Sequence, residues 1–316
     1  SCFIHSQLGR GRNEKAADTL TSYLNWSVPY TKPLPGLYLH PKFNTTGTRF
    51  TRQSCNDPNL MNVGTGRDVY NDNGDKTGEL EFLLRNCFGP PPGKEWLSID
   101  FQSIEFLIWG FSCGSQVIRE VYYAGLPLFK PFMEAIHGYF NKDTKEYKRT
   151  KNGIYAKLYG ASGVKADNTF GKAGATKAIE EQIPEVRSFT KRLHALLLSQ
   201  GYITTLGGYR LYVESNEPHK VVSAFVQGHA GWVIGEAMVA CEDYLQDFPD
   251  IHIILQIHDE LIFEGPVGFH QQHAIPLGKI MTAAGEKYEI PTPVNRSLIT
   301  ENWGSAKVLL HEGCTF

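Results

Sequence analysis

Ile251, Ile253, Leu255 and Ile257 recur at the two-residue period of a strand, the run stops at His258-Asp259-Glu260, and apolar residues resume at Leu261-Ile262-Phe263. Two apolar strands joined across three polar residues read as a hairpin whose tip holds an imidazole and two carboxylates. A second short strand, Trp96-Leu97-Ser98-Ile99-Asp100, also ends in a carboxylate. It follows Gly89-Pro90-Pro91-Pro92-Gly93, a turn or loop that separates two segments of the chain. Ile104, Phe106, Leu107, Ile108 and Trp109 come next as the start of a buried helix. Asp100 and Asp259 therefore stand at the ends of rigid apolar strands.

The rest of the chain is mostly helical in pattern. Thr144 to Tyr159 reads as a charged helix closing at Gly160, and Val186 to Leu198 as an amphipathic one after the Pro184 break. Tyr202 to Val213 reads as a hairpin turning at Gly207-Gly208, and Val221 to Leu245 as a long helix interrupted by glycines. The 316 residues contain 31 Lys and Arg against 33 Asp and Glu, so any nucleic-acid partner must be met by a local basic face rather than by net charge. Lys142, Lys145, Lys148, Arg149, Lys151 and Lys157 form the most basic stretch. No apolar run approaches the roughly 18 residues that span a bilayer, which predicts no membrane segment. Six scattered cysteines fit a reducing compartment. The first residue is not Met, which predicts a fragment or a processed chain. Cys2 with His5 and His311 with Cys314 have zinc-ligand chemistry but lie at the chain ends, and no metal is assigned to them.

Two carboxylates at neighbouring strand ends suit a hard divalent cation such as Mg²⁺, which takes one or two carboxylates plus substrate phosphates. A pair of such ions can serve an in-line phosphoryl transfer. Taken alone, two aspartates at strand ends are ordinary turn residues. Tyr147, Lys151, Tyr155 and Tyr159 recur every four residues and share one helix face. A lysine on such a face can neutralise a triphosphate and protonate a departing pyrophosphate, and an aromatic one turn on can stack on a base or sugar. In isolation the same helix reads as an amphipathic surface element.

In order and wording these segments resemble the three polymerase motifs of the family-A DNA polymerases. Asp100-Phe101-Gln102-Ser103-Ile104-Glu105 is similar to the first, Lys151 with Tyr155 and Tyr159-Gly160 to the second, and Gln256-Ile257-His258-Asp259-Glu260 to the third. Supporting matches are Thr51-Arg52, Asp57-Pro58-Asn59-Leu60-Met61-Asn62, Thr205-Leu206-Gly207 with Arg210, Val226-Gln227-Gly228, and Asn302-Trp303, so the likeness runs from about residue 45 to about 308. The resemblance implies that Asp100, Asp259 and the backbone carbonyl of Phe101 hold two Mg²⁺ ions. It implies that Lys151 holds the phosphates and acts as general acid, and that Glu105 is a sugar gate braced by Tyr159. Tyr155 stands where the family carries Phe or Tyr, and Arg52 and Gln227 resemble residues that probe minor-groove acceptors. His258 and Glu260 would lie near the primer end. Where the family usually has an arginine four residues before the lysine this chain has Tyr147, with Lys148 about 100° further around the helix. Ser223 stands where an asparagine often precedes Gln227. His137 is similar to a phosphate-contacting histidine, at a shorter spacing to Lys151.

The fold implied is α+β: a palm of antiparallel strands with helical fingers, a right-hand polymerase fold lacking a complete thumb. Residues 1–50 would be a thumb remnant or linker, 51–114 and 216–316 the two parts of the palm, and 115–215 the fingers. The partners implied are primer-template DNA, deoxynucleoside triphosphates, and a second polypeptide or segment carrying the thumb and an exonuclease-like domain. Two rival readings share these motifs. A retired nucleic-acid-binding subunit has no reason to keep Asp100, Lys151 and Asp259, and a single-subunit RNA polymerase has no use for a carboxylate at Glu105.

Overall fold

The computed structural model describes residues 28–30, 36–45, 47–48, 50, 52–63, 67–71, 73–80, 85–214 and 217–309. The Cys2, His5, His311 and Cys314 pairs and Thr51 lie outside them. At the centre is a five-stranded antiparallel sheet in the order His252–Ile257, Glu260–Pro266, Lys94–Phe101, Val294–Ile299, Lys307–Val308. The strand expected to begin near Trp96 starts two residues earlier, at Lys94, and is the middle strand.

Alternation decides which residues each face receives. Leu97, Ile99 and Phe101 join Leu261 and Phe263 in the larger core, which is completed by helices. Trp96 points the other way and packs with Leu255, Ile257, Ile262, Ile299 and Trp303, against Cys55, Leu60, Met61 and Val63. With both faces covered, the central strand is buried along almost its whole length. Asp100 shares the parity of Trp96 and Ser98, so it belongs to the face of the smaller core.

Helices Ile104–Cys113, Gln116–Tyr123, Lys130–His137, Lys145–Leu158, Gly163–Phe170, Ala175–Gln182 and Glu185–Gln200 follow the central strand, and Val221–Leu245 and His270–Glu286 flank the hairpin. The charged helix begins and ends within a residue of where its pattern predicts. Thr144 caps it by accepting the Tyr147 N–H, and Tyr159 closes it before the left-handed Gly160. Val221–Leu245 differs from expectation, because its glycines do not interrupt it. Gly228 instead lets the short Ile203–Thr204/Arg210–Leu211 hairpin approach, since a Cβ there would lie 2.4 Å from Leu211 Cδ1.

His229 on this helix fixes the same contact. Its Nδ1 donates to the Phe225 carbonyl at 2.8 Å and its Nε2 accepts the Leu206 N–H at 2.6 Å, so the ring must be neutral. Burial drives its pKa down to about 4. An unfolded-state imidazole titrates near 6.5, so this group's stabilising contribution is complete above that value and is lost as pH falls toward about 4. The stability difference between the parent and His229→Gln should therefore shrink by about 2 kcal/mol between pH 7 and pH 5, measured by urea unfolding. A pH-independent difference would show that the imidazole is not held neutral.

Candidate active site

Asp100 lies one residue before the end of the central strand, opposite Glu260 on one side and Asn295 on the other. Asp259 is the second residue of the two-residue turn between the hairpin strands, where Ile257 pairs with Glu260. The first, His258, has φ +54, and Ser103, just beyond Phe101, has φ +48. Both are left-handed conformations that non-glycine residues rarely adopt. The two turns meet through one bond: the Phe101 N–H donates to the Asp259 carbonyl at 3.1 Å. That bond brings two carboxylates 159 positions apart in sequence to the same corner of the sheet.

The corner is acidic and half-buried. Burial, and then the charges of Asp259 and Glu260, push the Asp100 carboxyl up to about 8, while Lys151 and Arg85 pull against them. Burial raises Asp259 as well, opposed by a backbone hydrogen bond and by Arg52, His258 and Lys151. Glu260 is raised by burial and held partly by the Ser98 hydroxyl and Arg85. Hard oxygen donors that repel one another in a half-buried corner fit a divalent cation. No cluster of three or more His, Cys, Asp or Glu side chains at metal-binding distance occurs among the described residues. Two carboxylates and a carbonyl, completed by water and substrate phosphate, are nonetheless a normal Mg²⁺ set.

Glu105 occupies the first turn of the Ile104–Cys113 helix and is almost fully buried. Its carboxylate is ion-paired to Arg52 and accepts a hydrogen bond from the Tyr159 hydroxyl. Tyr155 is half-buried between Phe129 and Tyr159, with ring centroids at 6.3 and 6.2 Å. Burial followed by the Glu105 charge raises the pKa of both tyrosines, so both stay protonated donors. Lys151 is exposed, with its ammonium 5.9 Å from the Phe129 ring centre. One corner thus holds two carboxylates, an exposed cation that both carboxylates sense, and a buried carboxylate braced by a phenol.

Not every expected residue joins them. Lys148 sits 5.7 Å from the Tyr70 ring centre, on another face of its helix. Tyr147 packs inward on Phe129 and Phe140. His137 ends the Lys130–His137 helix, its charged neighbours are Lys172, Glu146 and Arg149, and its buried Nε2 has no partner among the described residues. Arg149 lies 200° around the helix from Lys151, and neither Lys151 nor the acidic corner is among the charges that His137 senses. Gln227 is half-buried on Val221–Leu245, and His258 is exposed.

The pattern did not single out Arg85. Its guanidinium lies 4.0 Å from the Trp303 ring centre, its Nε donates to the Val63 carbonyl at 3.3 Å, and its charge reaches Glu260 and Asp100. Asn302-Trp303 was visible as a motif, but only the folded chain brings Arg85 onto that tryptophan.

Comparison with known proteins gives a consistent picture. DNA polymerase I of Pseudomonas aeruginosa is 24% identical over 286 residues, which cover 85% of this chain and 30% of that protein. The thermostable DNA polymerase I of Thermus filiformis is 26% identical over 302 residues, covering 88% and 34%. This chain thus spans about a third of the length of these relatives. The POL domain of Pol1 from M. smegmatis, solved in complex with DNA primer-template and dNTP, superposes with a TM-score of 0.77 at 22% identity, over 92% of this chain and 52% of that one. Its fold is therefore that of a polymerase domain, with an antiparallel sheet and helices. The model of DNA polymerase family A matches residues 14–305, and the chain belongs to that family.

Proposed function

We propose that this chain carries the nucleotidyl-transfer centre of a DNA-directed DNA polymerase, adding deoxynucleotides to a primer 3′-hydroxyl under the direction of a template. The observation that carries the proposal is the Phe101–Asp259 bond, which joins two acidic strand ends beside Lys151 and Glu105. In this reading the sheet with Asp100 and Asp259 is the palm, residues 51–114 and 216–316, and the helices of 115–215 are the fingers.

Asp100, Asp259 and the Phe101 carbonyl would hold two Mg²⁺ ions, which when bound lower the pKa of the attacking hydroxyl and neutralise charge on the leaving oxygen. Lys151, exposed yet close enough to influence both carboxylates, holds the triphosphate and donates a proton to the departing pyrophosphate. Tyr155 and Tyr159 receive the incoming nucleotide. Arg52, paired to Glu105, and Gln227 read acceptors in the primer-terminal minor groove. His258 and Glu260 flank the primer end.

Glu105 excludes ribonucleotides because its position is over-determined. Arg52 and Tyr159 fix its carboxylate, so a 2′-hydroxyl meets an immobile group. Glu105→Ala should raise ribonucleotide incorporation relative to deoxynucleotide incorporation by at least about 100-fold, about 2.7 kcal/mol of discrimination, in single-nucleotide extension. An unchanged preference would place the gate elsewhere. Template-directed extension of a labelled primer by the purified chain, with dNTPs and then rNTPs, tests the proposal as a whole. A preference for rNTPs would favour the RNA polymerase reading.

A further inference from the structure

Outside the central sheet, Arg67–Tyr70 pairs with Lys76–Leu80 as a separate two-stranded hairpin. Its turn is braced from within: Asp75 N–H donates to Asn71 Oδ1 at 2.9 Å, Asn71 N–H to the Asp75 carbonyl at 2.9 Å, and Gly74 N–H to the Asn71 carbonyl at 3.0 Å. The braced turn reaches the start of the Lys145–Leu158 helix. Lys145 N–H donates to the Gly74 carbonyl and Lys76 N–H to the Asp143 carbonyl, each at 2.8 Å, which makes an antiparallel bridge between Asp75 and Thr144.

The first N–H groups of a helix have no partner within it, so Gly74 satisfies a donor that would otherwise need water. Gly74 is suited to this approach, with φ +89 and a hypothetical Cβ 3.4 Å from the Glu146 carboxylate. The hairpin also supplies the Tyr70 ring near Lys148. Further along, the helix is anchored by Ile154, Leu158 and Gly153, the last so close to Phe170 that a Cβ would lie 2.4 Å from its ring. Lys151 stands between that anchor and the clamped first turn.

We propose that the hairpin of residues 67–80 is a positioning element for nucleotide binding: by pinning the first turn of the helix, it fixes where Lys151 meets the triphosphate of the incoming nucleotide. The inference rests on the polymerase reading of the Lys151 helix. The hairpin touches no substrate; it acts through Lys145, Lys148 and the helix they begin. Misplacing a phosphate-binding cation by about 1 Å can cost on the order of 100-fold. The loss should fall on both nucleotide affinity and turnover, because Lys151 binds the phosphates and supplies the proton, whereas the carboxylate corner on the central sheet is untouched.

The test removes the clamp and spares the sheet. Asp68 pairs with Glu79, so residues 69–78 can be replaced by Asn-Gly, a two-residue turn suited to joining them. Tyr70→Ala is the milder variant and Tyr70→Phe its control. In the parent, the Lys145 and Lys76 amides should be protected in hydrogen exchange, and the truncation should speed exchange at Lys145 at least tenfold. In single-nucleotide extension, the truncation should raise KM for dNTP and lower kcat, each at least tenfold, with primer-template affinity within twofold. Tyr70→Ala should raise KM about threefold, with Tyr70→Phe matching the parent. Unprotected parent amides, or a truncation whose KM stays within twofold of the parent, would overturn the inference. A parent that extends no primer refutes the polymerase reading instead, and the exchange data then decide the clamp alone.

Discussion

Asp100→Asn should abolish nucleotide incorporation and, in the same protein, raise its stability. The amide keeps the shape of the carboxylate but removes a charge that burial, Asp259 and Glu260 all oppose. Incorporation should fall at least about 1,000-fold, because the lost interaction acts on the transition state, while primer-template affinity holds because it comes mainly from phosphate contacts. The folded-state carboxyl titrates near 8 against 3.8 in the unfolded chain, so its favourable contribution is complete below 3.8 and is lost as pH rises toward 8. The gain from Asn should thus be largest at pH 8, about 1–3 kcal/mol in chelator, and fade toward pH 4. Thermal unfolding of parent and variant across that range measures it. Equal stabilities at pH 8 would mean that the corner is better solvated than its geometry implies.

Lys151→Met should give the second-largest loss. Methionine keeps an unbranched chain of similar length but provides neither charge nor proton. The expected loss in kcat is about 100- to 10,000-fold, the range for a positioned general acid. It should be accompanied by a raised KM for dNTP, because the same ammonium binds the phosphates. Lys151→Arg should restore binding more than turnover, since a guanidinium does not give up its proton. A variant that keeps kcat and loses only KM would limit Lys151 to binding.

Elements governed by local chemistry were legible in the sequence. Thr144 as N-cap and Gly160 as stop set the bounds of the Lys151 helix, and alternation set the strands that end in Asp100 and Asp259. The features missed depend on distant partners. Arg85 reads as one more surface cation until Trp303 and Glu260, each more than 170 positions away, close around it. His229 reads as a helix residue until the Leu206 N–H arrives. The glycines of Val221–Leu245 read as interruptions because sequence cannot show that Leu211 needs the space. Asn71 and Asn73-Gly74 mark the turn of the 67–80 hairpin, but nothing local shows that its backbone meets Asp143 and Lys145. Lys148 and His137 illustrate the reverse: a motif position can be matched while the folded helix turns the side chain to Tyr70, or toward Lys172 and Arg149.

The most direct test of the account is rapid-quench incorporation of one nucleotide on a defined primer-template with Mg²⁺, comparing the parent with Asp259→Asn. The parent should add the nucleotide complementary to the template, strongly preferring the deoxy form, and the variant should add it at least about 1,000-fold more slowly at equal primer-template affinity. Incorporation by Asp259→Asn within tenfold of the parent would contradict the assignment of the catalytic centre to the joined ends of the two strands.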